Sequence, residues 1–333
     1  MPEPRFLVVR LGALGDIVHT FPAVSGLRET FPNAEIVWLT SSRWKQLVES
    51  SSLASRVRIV ETRSIRSLRE TIEAIRAGQW EAAIDYQGLW KSAALPFFGG
   101  IQRRIGFSRE TIREFGVPLL YNERVRAITT HIADQNGELS LRAGARNAIA
   151  PFSLGVSQQD DCGIRDHLYS LGLYRYIVLS PGGGWRSKCW PPERFGLLCA
   201  VIRESLGLRC VVNYGPGEDD LALAVRECSG DSEPVPYNGP LGPLMALLRN
   251  AACIVGGDTG PLHLAIALGT PAVALFGPTD PARNGPYRTN AIVLRAPKIN
   301  TTHKRIDQTH PSMLQIQVKE VFEAVRRRLG AAT

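Results

Sequence analysis

The sequence predicts an α/β protein with two parallel sheets, each covered by helices on both faces. Short apolar runs rich in β-branched residues alternate with amphipathic stretches through the first hundred residues, and the alternation begins again near residue 177. A polar, turn-rich segment separates the two series. The 333 residues are enough for two ordinary domains, each with its own core. We therefore predict two domains of one type.

The first half predicts a domain over residues 1–155. Its strands are RFLVVR, AEIVWL, RVRIVE and EAAIDYQG, which are short and bounded by turn residues. A helical pattern spans residues 17–30, and a second amphipathic helix, SLRETIEAIRAGQW, ends at Gly78. Strands that alternate with helices form parallel pairs.

The second half predicts a linker over residues 156–176 and a second domain over residues 177–315. Its strands are YIVLS, RCVVNYG, ACIVGG and PAVALFG, and helices are predicted at PERFGLLCAVIRESLG, EDDLALAVREC and GPLHLAIALG. The loop FGPTDPARNGPY is too rich in glycine and proline to be helical. Residues 316–333 contain a last amphipathic helix, VKEVFEAVRRRLG.

Composition excludes several classes of protein. No apolar run reaches 18 residues, so no transmembrane helix is predicted, and the N-terminus does not resemble a signal peptide. Six cysteines without a C-x-x-C pair fit reduced thiols in the cytoplasm. No D-x-D triplet is present and the histidines are isolated, so we expect no metal site and no cofactor. The net charge of +8 indicates an anionic partner.

The first candidate site is VVRLGALGDIVHT, in which a strand leads into a glycine-containing loop and then Asp16. Asp16 fits a helix N-cap, where a carboxylate accepts backbone N–H bonds and complements the helix dipole. It also fits a general base at the carboxyl end of a strand. The G-x-G-x-x-G and G-x-x-x-x-G-K-[ST] motifs are absent, which disfavours a dinucleotide-dependent dehydrogenase and a P-loop enzyme.

Two further loops are candidate phosphate sites. In LSPGGGWRSKCWPPERF, glycines let backbone N–H groups approach phosphate oxygens, and Lys188 adds a positive charge. In GGDTGPLHL, Asp258 or Thr259 fits the N-cap and Pro261 the first helical position. Capping of the helix does not account for His263 in its first turn. Thr259, Gly260 and His263 are therefore candidates for binding a diphosphate.

Arginines are concentrated in the first half of the chain. A cluster of this kind is usually a solvated face, but arginine in excess of lysine favours bidentate contacts to phosphate. Few aromatic residues interleave it, so we expect no nucleic-acid partner. The cluster consists of Arg56, Arg58, Arg63, Arg66, Arg69, Arg103, Arg104, Arg109 and Arg113.

Four stretches in order resemble glycosyltransferase family 9, the bacterial lipopolysaccharide heptosyltransferases. LGALGDIVHTFPA resembles that family's N-terminal catalytic loop, and AAIDYQGLWKSAAL is similar to another stretch of its first half. SKCWPPERF resembles the donor loop, and GDTGPLHLAIALGTPAVALFGPTDP the family signature. The similarity covers nearly the whole chain.

The resemblance implies a GT-B fold, in which two Rossmann-like domains with parallel sheets face a central cleft. It implies that the N-terminal domain binds the acceptor and the C-terminal domain a nucleotide sugar, and that the final helix packs back toward the N-terminal domain. The implied reaction is an inverting, metal-independent transfer of heptose from ADP-heptose to Kdo–lipid A. The enzyme is then expected to be cytoplasmic and peripherally associated with the inner face of the cytoplasmic membrane.

The resemblance also assigns roles to individual residues. Asp16 matches the general base. Donor-binding positions are matched by Gly183, Gly184, Lys188, Glu218, Asp258, Thr259, Gly260 and His263, with Asp219 as an alternative to Glu218 at the ribose. Acceptor-binding positions are matched by Lys91, Arg113 and His131, and the basic face with Arg63 and Arg66 is expected to hold the acidic groups of the acceptor.

Alternatives follow from the same residues. Gly183 and Gly184 stand where the family pattern often has threonines, so a family member with another sugar or acceptor, including heptosyltransferase II, is an alternative. A protein that binds a nucleotide sugar or polyanion without catalysis is a third hypothesis, which the presence of Asp16 disfavours.

Overall fold

The computed structural model describes residues 3–112, 114–297, 299, 301–302 and 308–330. The chain divides into two compact units, Met1–Gly155 and Val156–Thr333. Each unit contains a six-stranded parallel sheet with helices, which confirms the predicted α/β class. None of the helices in the described ranges has the length and apolar character needed to span a membrane.

The first sheet has the order β3-β2-β1-β4-β5-β6, with β1 in its centre. Leu7 and Val9 of β1 are fully buried and belong to a core with Val37, Leu39 and Ala83 of the two neighbouring strands. The strands are β1 (Arg5–Val9), β2 (Glu35–Thr40), β3 (Arg56–Ile59), β4 (Ala82–Asp85), β5 (Arg104–Phe107) and β6 (Glu123–Val125).

The helix predicted over residues 17–30 is two helices. The first ends before His19, and Pro22 lies in the first turn of the second. A proline lacks the N–H that a helix interior requires, but the first turn has no partner for that group. The helices of the unit are α1 (Leu14–Val18), α2 (Phe21–Thr30), α3 (Lys45–Ser50), α4 (Ile65–Arg76), α5 (Trp90–Phe98) and α6 (Ile132–Arg142).

The second sheet has the order β12-β11-β10-β7-β8-β9. Its strands are β7 (Tyr176–Ser180), β8 (Arg209–Asn213), β9 (Val235–Tyr237), β10 (Cys253–Gly257), β11 (Ala272–Phe276) and β12 (Ile292–Arg295). Its helices are α7 (Gln158–Ser170), α8 (Pro192–Leu206), α9 (Asp219–Glu227), α10 (Leu241–Asn250), α11 (Gly260–Ala267), α12 (Pro281–Asn284), α13 (Pro311–Gln315) and α14 (Val318–Arg328).

The segment 156–176, predicted as a linker, is largely helical. Ser157 caps α7 by accepting a hydrogen bond from the Asp160 N–H. Ile164 and Leu168, one helical turn apart, are buried, and the Arg249 guanidinium near the end of α10 contacts Asp161 at 2.6 Å. Because only this narrow stripe of α7 is apolar, the hydrophobic periodicity of the segment is too weak to predict a helix.

One further prediction, for the loop after β11, is corrected. The Gly- and Pro-rich loop after β11 contains the short helix α12, whose first turn is capped by the Asp280 carboxylate. The final helix, α14, was expected to pack toward the N-terminal domain. Its apolar face lies in the core of the second unit, where Val321 and Val325 are fully buried, and packing toward the N-terminal domain stays a prediction.

Candidate active site

The loop after β1 positions Asp16 at the carboxyl edge of the first sheet. Asp16 is the third residue of α1, and its Oδ2 accepts a hydrogen bond from the Ala13 N–H at 3.3 Å. The capping interpretation is therefore partly correct. However, the side chain is 51% exposed and also contacts Arg10, with 2.8 Å between Oδ2 and Nη2. A carboxylate that is half exposed and fixed by a cation can accept a proton from a bound molecule.

Arg10, which the sequence prediction did not single out, is the residue that orients Asp16. It is buried directly after β1, and its Nη1 donates a hydrogen bond to the Tyr86 carbonyl. The Trp38 indole N–H donates to the Arg10 carbonyl at 3.2 Å. Arg10 is thus held by the strands on either side of β1, and its second guanidinium nitrogen points at Asp16.

The end of β4 supports this arrangement through a buried carboxylate. Asp85 is 1% exposed and accepts hydrogen bonds from Tyr121, Ser92 and the backbone N–H groups of Gln87 and Gly88. Burial raises the pKa of Asp85, against the opposing effect of these hydrogen bonds. The network fixes residues 85–88, and Gln87 Oε1 in turn accepts from the Leu11 N–H at 2.7 Å.

Other predicted acceptor residues lie in segments that follow strands of the same sheet. Arg63 is exposed in the turn before α4, and Lys91 is exposed in the first turn of α5. His131 caps α6, and its ring meets the His19 ring edge-on with 5.4 Å between centroids. Arg113 lies outside the described residues. Because carboxyl ends of parallel strands share one edge of a sheet, this edge is the candidate acceptor side.

Much of the predicted arginine cluster is paired with carboxylates or carbonyls. Arg103 contacts Glu123 at 2.6 Å and Glu81 at 3.4 Å, and Arg104 donates to the carbonyls of Ile101 and Leu120. Arg66 is highly exposed and pairs with Glu70 at 2.7 Å. Such exposed pairs contribute little to stability and can be exchanged for contacts with a ligand.

In the second unit, Glu218 joins the loops that follow β7 and β8. Its Oε1 accepts from the Gly183 N–H at 3.2 Å, and its Oε2 accepts from the Gly215 N–H at 2.7 Å. A Cβ added to Gly182 would lie 2.3 Å from Oε2, so only glycine leaves room for this carboxylate. Asp219, the alternative at this position, begins α9 and is exposed. Gly184 has open space around it.

Lys188 and His263 converge on Asp258. Lys188 Nζ donates to the Asp258 carbonyl and lies 3.6 Å from its Oδ2, while His263 Nε2 lies 3.0 Å from Oδ1. Burial alone would raise the pKa of Asp258, but the hydrogen bond with His263 and the charge of Lys188 lower it below the ordinary value. Asp258 is therefore an ionised, buried anchor for two basic side chains.

The N-terminus of α11 lies beside this group. Thr259 is its N-cap residue, yet the Thr259 side chain makes no capping hydrogen bond. The Thr259 hydroxyl is buried and lacks a hydrogen-bond partner among the residues that the structure describes. A Cβ on Gly183 would lie 3.3 Å from Thr259 Cγ2 and 3.8 Å from Lys188 Cε, so the three segments meet. Helix N-terminal N–H groups, an unpaired hydroxyl and an ammonium together suit a phosphate.

The sequence is similar to proteins of one family. The family model of glycosyltransferase family 9 (heptosyltransferase) matches residues 68–313. The lipopolysaccharide heptosyltransferase 1 of Escherichia coli (strain K12) is 30% identical over 313 residues, covering 89% of this chain and 95% of the relative.

The structure of the chain is also similar to solved structures. A glycosyl transferase family 9 protein from Veillonella parvula DSM 2008 aligns with a TM-score of 0.85 at 24% identity, covering 100% of this chain and 99% of that one. The E. coli heptosyltransferase WaaC, solved with ADP, aligns with a TM-score of 0.77 at 26% identity, covering 97% of this chain and 99% of that one.

Proposed function

Because the chain belongs to glycosyltransferase family 9 and is an enzyme of the heptosyltransferase type, we propose that it transfers heptose from ADP-heptose to Kdo–lipid A. The observation that carries the donor assignment is the group formed by Lys188, the Thr259 hydroxyl and the N-terminus of α11. The relative WaaC was solved with ADP, whose diphosphate is the kind of anion that this group suits.

In this proposal the second unit binds the donor. Lys188 and the α11 N-terminus at Gly260 stabilise the negative charge that develops on the departing diphosphate. Asp258, which His263 contacts, orients Lys188 and keeps its ammonium in place. Gly183 and Gly184 allow close approach of the backbone, and Glu218, or Asp219 beside it, contacts the nucleotide ribose. No metal ion is needed for this charge stabilisation, so we propose a metal-independent transfer.

In the first unit Asp16 is the proposed general base. The acceptor hydroxyl oxygen forms a bond to the anomeric carbon as the bond from that carbon to the diphosphate oxygen breaks. The hydroxyl proton passes to Asp16, and ADP leaves with the bonding electron pair. Because a single displacement inverts the anomeric carbon, one base is sufficient. Arg10 holds the Asp16 carboxylate in the orientation that receives the proton.

The acceptor is proposed to be acidic and bound to a lipid. Lys91, His131, Arg63 and Arg66 would contact the carboxylates and phosphates of Kdo–lipid A, together with Arg113. Such a substrate requires the enzyme to work in the cytoplasm, associated peripherally with the inner face of the cytoplasmic membrane.

Incubation of the purified protein with ADP-heptose and Kdo–lipid A tests the proposal. Mass spectrometry of the lipid is expected to show one added heptose, and Asp16→Asn is expected to abolish the product. An unmodified acceptor in the presence of an intact donor contradicts the proposed function. Transfer to a core that already carries heptose, but not to Kdo–lipid A, would assign the chain to heptosyltransferase II or another family member.

A further inference from the structure

Large hydrophobic side chains are exposed around α5 and the segment that follows β5. Trp90, at the start of α5, is 50% exposed, and Phe115 and Leu119 are 80% and 72% exposed. Phe97 and Phe98, at the end of α5, are 40% and 54% exposed. We call these five residues the apolar surface. Isolated exposed hydrophobic residues are common, whereas a contiguous group indicates an interaction site.

Contacts join the apolar surface into two groups, one around Trp90 and one at the end of α5. A Cβ on Gly116 would lie 2.9 Å from the Trp90 ring, so Trp90 sits directly beside the Phe115–Gly116 turn. Phe97 and Phe98 meet edge-on, with 5.3 Å between their ring centroids. Trp90 and Phe97 are seven residues apart in α5, which places them on one side of the helix about 10 Å from each other.

Arginines lie directly against the same residues. The Arg109 guanidinium carbon lies 5.5 Å from the Phe115 ring centroid, and that of Arg104 lies 5.3 Å from the Phe97 centroid. Arg76 donates a hydrogen bond to the Phe98 carbonyl at 3.0 Å, and Arg124 donates to the Pro118 carbonyl at 2.9 Å. The exposed Lys91 is next to Trp90 in the chain.

Two carboxylates oppose these cations. Glu114 accepts a hydrogen bond from the Trp90 N–H at 2.8 Å. Glu110 accepts from the Ser108 hydroxyl, a hydrogen bond that lowers the pKa of Glu110, so this carboxylate is charged at neutral pH. The cations named above outnumber these two carboxylates, so the rim of the apolar surface is basic.

We propose that the apolar surface docks on an anionic lipid bilayer. Indole and phenyl rings partition into the interface between headgroups and acyl chains, where arginines at the rim meet lipid phosphates. Exposed aromatic rings surrounded by an excess of cations are a combination that an anionic membrane interface can accommodate. The inference rests on the proposed function in one respect, because a lipid-linked acceptor would lie in that bilayer.

Vesicle flotation with the full-length protein tests the docking surface. The vesicles contain phosphatidylethanolamine with about one third phosphatidylglycerol, and neutral phosphatidylcholine vesicles serve for comparison. The double variant Phe115→Ser, Leu119→Ser is expected to bind anionic vesicles roughly tenfold or more weakly than the unaltered protein, because two exposed apolar groups no longer insert. The variant Phe115→Trp is expected to retain binding.

A control of the same kind removes two exposed side chains from the second unit. Tyr174 and Leu223 are 75% and 56% exposed, and the double variant Tyr174→Ser, Leu223→Ser is expected to bind vesicles as the unaltered protein does. Thermal unfolding checks that all variants are folded, which is expected because the four side chains are exposed.

The outcomes separate docking from catalysis. The Phe115, Leu119 double variant is expected to lose transfer to Kdo–lipid A embedded in vesicles but to keep transfer to a deacylated, water-soluble acceptor. Unaltered vesicle binding by this variant overturns the docking surface, as does absence of binding by the unaltered protein or equal binding to neutral vesicles. Vesicle binding without transfer to either acceptor leaves the docking surface standing and contradicts the proposed function.

Discussion

Arg10 and Asp16 form the pair on which the proposed proton transfer depends. Arg10 is almost fully buried, whereas half of the Asp16 side chain is accessible. The guanidinium therefore has a fixed position set by the Tyr86 carbonyl, and the carboxylate takes its orientation from the guanidinium. The reactive group is at the surface while the group that orients it is in the core.

Replacing Arg10 by methionine is expected to lower kcat by about ten- to hundredfold, because a charge-assisted hydrogen bond of roughly 1.5–3 kcal/mol no longer orients Asp16. Arg10→Lys is expected to restore part of the loss, since the ammonium can reach only one partner at a time. Initial rates at saturating substrates, together with ADP affinity, measure the effect. ADP affinity is expected to stay unchanged.

Lys45→Met is the matched control for this variant. Lys45 forms an exposed pair with Glu49 at 3.5 Å within α3, so its removal is expected to leave kcat unaltered. Equal kcat values for Arg10→Met and Lys45→Met would contradict the orienting role of Arg10.

Because of Asp258, the free energy of unfolding is expected to vary with pH in the acidic range. Its pKa is lower in the folded protein than in the unfolded chain, despite burial, because of His263 and Lys188. The associated stabilisation is complete above the ordinary aspartate pKa of about 4 and is lost as the pH falls through the folded value. Urea unfolding from neutral pH to pH 2 is expected to show this loss in the unaltered protein.

Asp258→Asn is expected to reduce the free energy of unfolding by roughly 2–3 kcal/mol at pH 7, because two buried basic groups lose their anionic partner. Below pH 4 the difference from the unaltered protein is expected to shrink. Asp166→Asn, at an exposed position of α7, serves as control. A difference that stays constant from pH 7 to pH 2 would show that the Asp258 charge contributes nothing.

The sequence singled out several candidate site residues but not the groups that they contact. Asp16, Lys188 and His263 are candidates because they are unusual residues at strand ends and helix starts. Arg10 and Glu218 acquire their roles from groups distant in the chain: the Tyr86 carbonyl is 76 residues from Arg10, and the Gly183 N–H is 35 residues from Glu218. For Arg10 the available signal was an arginine directly after the four consecutive apolar residues of β1.

Among the elements, the loops after β7 and β8 are joined through Glu218. Gly182→Ala is expected to displace the Glu218 carboxylate, which then loses its hydrogen bonds to the Gly183 and Gly215 N–H groups. We expect a destabilisation of about 1–3 kcal/mol and a weaker affinity for ADP. Thermal unfolding and calorimetric titration with ADP measure the two effects.

Gly184→Ala is the matched control for stability. A Cβ at Gly184 meets no atom within 4 Å, so the free energy of unfolding is expected to change by less than about 0.5 kcal/mol. If both alanine variants unfold at the same temperature as the unaltered protein, the loops are not joined in the way described.

Strands and helices were predicted correctly where the sequence has a strong hydrophobic pattern and were missed where that pattern is weak. The strands β1, β7 and β10 each contain three or more consecutive buried apolar residues and were predicted correctly. Helix α7 buries only Ile164 and Leu168, and α12 is a single turn begun by Asp280 and Pro281, so neither gave a periodic signal. Their positions are decided by capping and tertiary contacts.

At the scale of the whole molecule, each unit has its own core and its own half of the proposed chemistry. The core of the second unit includes the last helix, with Val321 and Val325 packed among residues of β7, β10 and β11. The sequence predicted that α14 is amphipathic but could not predict its partner, because an apolar stripe fits any complementary surface.

The division of chemistry between the units is tested most directly by measuring ADP affinity and heptose transfer for two variants side by side. Asp16→Asn is expected to bind ADP as the unaltered protein does and to lose transfer by about a thousandfold or more. Lys188→Met is expected to weaken ADP binding by about tenfold or more, because the diphosphate loses a buried cation. Full transfer activity in Asp16→Asn, or unaltered ADP affinity in Lys188→Met, would contradict the account.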